Sequence, residues 1–193
     1  MRRIIGTAAA LLLLASPAAA QSAASQHQGF TVSFGLGAGS AGFTYEGFTG
    51  DRTAGPSGYL RLGGAVTPSL IIAGETHGWT RSEGSYTSRV GYLMAVAQWY
   101  PQPAGGFHLL GGVGMGVIAE EDTDPSSPFE LESVGGALQL GVGYDLRMSR
   151  NFSLTPYVNF LGMGGGEPKI NGIGQGGTLS SNVVQFGLGF SWH

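Results

Sequence analysis

Six side chains in this chain combine charge or proton-transfer capacity with positions inside apolar, alternating segments: Arg61, Glu75, His77, His108, Asp145 and Arg147. Glu75 and His77 are two residues apart, so in an extended strand both lie on one face. A carboxylate beside an imidazole can move protons. Charges withdrawn from water need the same pairing simply to be tolerated. We read Arg61, Glu75, His77, His108, Gln139, Asp145 and Asn159 as a structural polar network that fills an interior, with no catalytic, cofactor-binding or metal-binding residue assigned.

Three other stretches invite a chemical reading. "GAGSAG" (Gly37 to Gly42) fits a dinucleotide fingerprint, but the "FTYEGFTGDRTAGPSG" that follows is not a helix able to hold a pyrophosphate. "EEDTDPSSPFELE" (Glu120 to Glu132) gathers six carboxylates in one segment, oxygen ligands of the kind Ca²⁺ takes. Counted from Asp122, a Ca²⁺ loop of the EF-hand type needs Gly at Ser127 and Glu at Ser133, so the segment reads as a solvated charged loop. "GMGGGEPKINGIGQGGTLSS" (Gly162 to Ser181) contains the chain's single Lys and reads as a mobile glycine-rich loop. No cofactor is implied.

The elements that must position these residues follow from composition. The start, "MRRIIGTAAALLLLASPAAAQSA", has the layout of a secretory signal peptide over 1–20, followed by a short segment over 21–28. Loss of Arg2 and Arg3 with it would make a chain of net charge −3 still more acidic, which leaves no basic stripe for nucleic acid. Cysteine is absent, which excludes disulfides and Cys-based zinc sites. Beyond residue 20 no apolar run approaches the roughly 18 residues of a membrane helix. Yet only 11% of residues are charged and 36 are glycine. An apolar chain with no place for a spanning helix has one other spanning architecture, the closed β-barrel.

Period-two alternation marks eight strands, about 29–39, 57–66, 70–80, 88–100, 106–118, 133–147, 151–162 and 182–193. Connections 40–56, 119–132 and 163–181 are long and 81–87 intermediate, whereas 67–69, 101–105 and 148–150 are short. The fold class is therefore all-β: an eight-stranded antiparallel up-and-down transmembrane barrel over 29–193, with both termini at the short-turn end. In the last strand Val184, Phe186, Leu188, Phe190 and Trp192 face lipid; Gln185, Gly187, Gly189 and Ser191 face inward. Phe30, Trp99, Phe107, Phe152, Phe190 and Trp192 gather at the short-turn end as an interfacial girdle. A soluble barrel would reverse the faces.

Turn lengths then give registers. A three-residue "TPS" turn sets Arg61 opposite Glu75 and Tyr59 opposite His77. "PQPAG" as the next short loop sets His108 against Gln98, Met94 against Gly112 and Tyr92 against Gly114. "MSR" as a turn sets Gln139 against Asn159 and Gly141 against Tyr157. Pro156, unable to donate in a ladder, calls for a bulge or a lost bond.

This pattern resembles the eight-stranded outer-membrane barrel superfamily, the group of outer membrane protein A, its X-type relatives and the opacity-like adhesins, over essentially 29–193. The resemblance implies a monomer in the bacterial outer membrane, in contact with its lipid and lipopolysaccharide. It also implies recognition by the barrel-assembly machinery, which in this group reads a terminal aromatic; here Trp192 is followed by His193. The function expected is a non-enzymatic structural or surface-binding role through the external loops, the alternatives being a narrow pore and a lipid-modifying enzyme. Lipid A deacylases are similar in strand number and use His and Ser two residues apart. Here His77 precedes Gly78-Trp79 and His108 precedes Leu109-Leu110, so that pair is missing.

Overall fold

The structure, a computed structural model, describes residues 29–126 and 128–192; the expected leader over 1–20, the segment 21–28 and the terminal His193 lie outside the described residues. Eight long strands make the wall: β1 Phe30–Tyr45, β2 Thr53–Thr67, β3 Leu70–Glu83, β4 Tyr86–Trp99, β5 Phe107–Asp122, β6 Phe129–Tyr144, β7 Phe152–Gly166 and β8 Leu179–Trp192. Each pairs antiparallel with the next, and β1 pairs with β8 from Val32↔Trp192 to Tyr45↔Leu179, which closes the sheet and leaves the wall no edge. Closure is staggered. Pairing outward from Ser33 runs through Arg61, Glu75, Met94, Gly114, Ala137, Met163 and Ser181, and returns to β1 at Phe43. Such a stagger tilts the strands about 35–45° from the axis.

Alternation decides which side each residue takes. Leu36, Leu93, Leu140 and Phe186 stand outward, each more than 60% exposed, while Ser33, Glu75, Val96 and Gln139 on the opposite faces are buried. Apolar exposure on that scale has no place in water and suits a lipid-covered wall. At the short-turn end Phe34 and Phe190 stack at 5.1 Å and Phe152 meets Trp192 at 4.9 Å, so the girdle also pins the β7–β8–β1 seam.

Three expectations need correction. First, the strands run past the bilayer at the long-connection end. Of the expected loop 119–132, residues Ala119 to Asp122 and Phe129 to Glu132 are paired strand, and of 40–56 only Glu46–Gly47 and Gly50–Arg52 lie outside the ladders. In a closed wall, pairing continues as long as both neighbours do, whatever the side chains. In 163–181, Lys169–Ile170 pairs with β6 and with Ile173–Gly174 around Asn171 (φ 48°) and Gly172 (φ 80°), a two-residue hairpin. The Asn-Gly between two Ile was its signal.

Second, two registers are shifted by two residues. Gln98 opposes Leu110, Met94 opposes Gly114 and Tyr92 opposes Gly116, because Tyr100 continues the inward face and the connection runs over 101–106. Gly141 opposes Asn159 and Gly143 opposes Tyr157, because Met148 and Ser149 both donate to the Phe152 carbonyl and so lengthen the turn. A two-residue slip keeps every side chain on its proper face. Arg61 does oppose Glu75 and Tyr59 does oppose His77, although the turn is reached through a bulge between Ala65 and Thr67. Pro156 sits where the β6–β7 ladder is broken around Asp145, whose amide donates instead to Gly106 at 2.8 Å.

Third, the charged and amide side chains buried in the interior gather in its short-turn half and middle. Toward the long-connection end it is an apolar core of Trp79, Val90, Ile118, Leu161, Met163 and Val183. Strand β4, apolar on both faces, resolves with Val90, Tyr92, Met94, Val96 and Gln98 inward and Leu93 and Trp99 outward.

Candidate functional site

The candidate site is the polar half of the lumen. Arg61, 5% exposed, and Glu75, 1% exposed, face each other across the β2–β3 pair. The Arg61 Nε donates to Glu75 Oε2, and its second donor reaches Gln98 Oε1 at 2.9 Å while the guanidinium lies 4.9 Å over the Tyr59 ring. The other Glu75 oxygen accepts from His77 Nε2 and from the Gln139 amide at 2.6 Å. The Gln185 amide nitrogen lies 2.5 Å from His77 Nδ1, so both ring nitrogens have a polar partner.

Gln98 carries the network downward. Its amide donates to the Tyr100 hydroxyl at 2.6 Å, Tyr100 donates to Asp145 Oδ2 at 2.7 Å, and Thr155 donates to Asp145 Oδ1 at 2.6 Å. His108 Nδ1 lies 3.8 Å from the same carboxylate, with its ring 5.1 Å from that of Tyr100. Of the expected residues, Arg61, Glu75, His77 and Gln139 form one cluster and His108 and Asp145 another. Asn159 is buried beside Gln185 with its Nδ2 unpartnered. Gln98 and Tyr100, unassigned from sequence, make the two clusters continuous, while Thr155 and Gln185, also unassigned, each add a partner to one of them. Their signal was parity: each sits on the face opposite the lipid-facing one.

Space for these side chains comes from glycine. A Cβ on Gly35 would lie 2.2 Å from the Tyr59 ring, and one on Gly141 would lie 2.1 Å from Asn159 Oδ1. Large residues thus pack into the gaps of facing strands, and the interior fills at about the width eight strands allow.

The loop carboxylates behave separately. Asp124 accepts from the Ser126 amide at 2.9 Å and hydroxyl at 2.7 Å, hydrogen bonds that hold its carboxyl below the usual range. Among the described residues no three His, Asp or Glu side chains approach closely enough to hold a metal ion.

A closed antiparallel sheet with an apolar outer belt, an aromatic girdle and a filled polar-and-apolar lumen defines a transmembrane β-barrel protein. The family model for the outer membrane protein beta-barrel domain matches residues 7–191, and the chain belongs to that family. It is a bacterial outer-membrane protein that crosses the membrane with its strands, so the short turns are periplasmic and the long connections external. The attachment invasion locus protein Ail of Yersinia pestis superposes with a TM-score of 0.59 at 13% identity, covering 86% of this chain and 99% of that one. Neisserial surface protein A superposes with a TM-score of 0.55 at 15% identity, covering 84% and 96%. Among curated proteins nothing matches.

One expectation is overturned by these comparisons. The outer membrane protease OmpT of Escherichia coli is also matched, at 9% identity, 89% and 99% coverage and a TM-score of 0.43. The expectation that the chain is not an enzyme is not kept.

Proposed function

We propose that this protein serves the cell envelope as a plugged barrel that presents its external strand extensions and loops for binding to a surface or partner. The observation that carries this reading is the division of labour along the axis. The lumen is occupied by the Arg61–Glu75–His77 network below and the Trp79–Ile118–Leu161 core above, so the freely accessible surface lies outside the membrane. There Phe48 is 82% and Ile173 is 69% exposed, each at the tip of a tight turn that holds it away from the wall. Exposed apolar tips on rigid hairpins suit contact with another surface.

A continuous water path is what the pore alternative needs, and the apolar core opposes one. The test combines two measurements on the same protein. Refolded barrel in planar bilayers should give no stepwise conductance. Cells displaying the protein should adhere to protein-coated surfaces, and Phe48→Ser with Ile173→Ser should reduce adhesion at equal surface abundance. Regular single-channel steps together with adhesion unchanged by those substitutions would replace this reading with the pore.

A further inference from the structure

One row of the outer wall departs from the apolar belt. Gly58, Gly78 and Gly91 lie side by side on β2, β3 and β4, with Leu36 of β1 closing one end and Val117 of β5 the other. The missing side chains leave an outward-facing cleft of about 680 Å³ whose lining includes Trp79 and the hydroxyl-bearing Ser57 behind the glycines. Ser57 is 7% exposed and its Oγ has no hydrogen-bond partner. Above the row stands Arg89, on the same outward face as Gly91.

Depth in the membrane follows from strand geometry. Trp99, in the periplasmic girdle, and Arg89 share the outward face of β4, ten residues apart. At about 3.3 Å per residue and a tilt near 40°, that is about 25 Å along the membrane normal, the height of the apolar belt of such barrels. Arg89 therefore lies at the external boundary, at headgroup level, and the glycine row lies just beneath, among the acyl chains of the external leaflet. The Arg89 side chain is 58% exposed, and its pairing with Glu121 is loose at 3.6 Å, so donors remain for another anion.

We propose that this cleft is a specific site for one phosphorylated lipid of the external leaflet, with an acyl chain lying in the glycine trough and its phosphate on Arg89. The strand tilt inclines the trough to the membrane plane, so a chain can enter it from the leaflet without turning flat. The other outward glycine of β3, Gly74, lies outside the cleft, which distinguishes this trough from glycine scattered over the wall.

Trp79 is the built-in reporter. In a Trp99→Phe, Trp192→Phe background it is the sole tryptophan. The refolded protein is placed in phosphatidylcholine vesicles containing, at equal low mole fraction, either phosphatidylglycerol or phosphatidylcholine brominated in the acyl chain, and Trp79 quenching is compared. One interfacial Arg contributes about 1 kcal/mol toward an anionic lipid, so the brominated phosphatidylglycerol should act at about a five-fold lower mole fraction. Arg89→Gln should remove that preference. Gly78→Leu, at a position where a Cβ meets nothing within 4 Å, should fill the trough and weaken quenching by both lipids; Gly74→Leu, equally unobstructed, should not. Equal quenching by the two lipids in the parent protein, or Gly78→Leu and Gly74→Leu behaving alike, would overturn the site and leave ordinary annular lipid only.

Discussion

Replacing Arg61 and Glu75 by leucine, singly and together, probes the centre of the lumen. Glu75 is held by three donors: Arg61, His77 and the Gln139 amide. In Arg61→Leu the carboxylate keeps two of them but loses its countercharge, at a cost of about 3–5 kcal/mol by comparison with other broken buried pairs. Glu75→Leu strands the guanidinium on Gln98 and also orphans the His77 Nε2–H and the Gln139 amide. Each orphaned donor adds about 1–3 kcal/mol, so this variant should be the less stable of the two. In the double variant both charges are gone and two leucines occupy facing positions, but the His77 and Gln139 donors remain unsatisfied. It should therefore be more stable than Glu75→Leu and retain about 2–6 kcal/mol of destabilisation from those two donors. The assay is equilibrium urea unfolding of the barrel refolded into lipid vesicles, followed by far-UV circular dichroism and by heat-modifiable gel mobility. A coupling energy near zero, with the double loss equal to the sum of the single losses, would refute the pairing and with it the β2–β3 register.

Further outcomes are expected from the same geometry. Gly35→Ala, with its Cβ 2.2 Å from the Tyr59 ring, should destabilise the barrel by about 1–3 kcal/mol, whereas Gly111→Ala, outward and unobstructed, should be near neutral in the same unfolding assay. Tyr100→Phe removes the hydroxyl joining Gln98 to Asp145 and should cost about 1–3 kcal/mol; a wild-type midpoint would show that the two lumen clusters are independent. Protease added to intact cells should cut the tips at 46–52, 123–128 and 167–178 and spare 101–106 and 148–151; cleavage at the latter pair would invert the topology.

The family, the eight strands, the inward and outward faces of the strands other than β4, and the meeting of Arg61 with Glu75 were legible from the residues. They depend on period-two alternation, which is local, and lipid favours apolar or small side chains on one face. Two hairpin registers were not legible, because a slip of two residues leaves that alternation unchanged. Only the inward course of Tyr100 and the doubled hydrogen bond at Phe152 decided them. Strand length beyond the bilayer was hidden for a related reason: Glu120, Glu121 and Asp122 look like a loop until the neighbouring strand supplies their backbone partners. Closure decided the rest. Val90, Ile118 and Val183 carry no local mark separating an apolar lumen from a lipid-facing wall, and the trough of Gly58, Gly78 and Gly91 exists only because two registers bring those glycines abreast. Side-chain periodicity is a property of one strand; the filling of the lumen and the relief of the wall belong to all eight together.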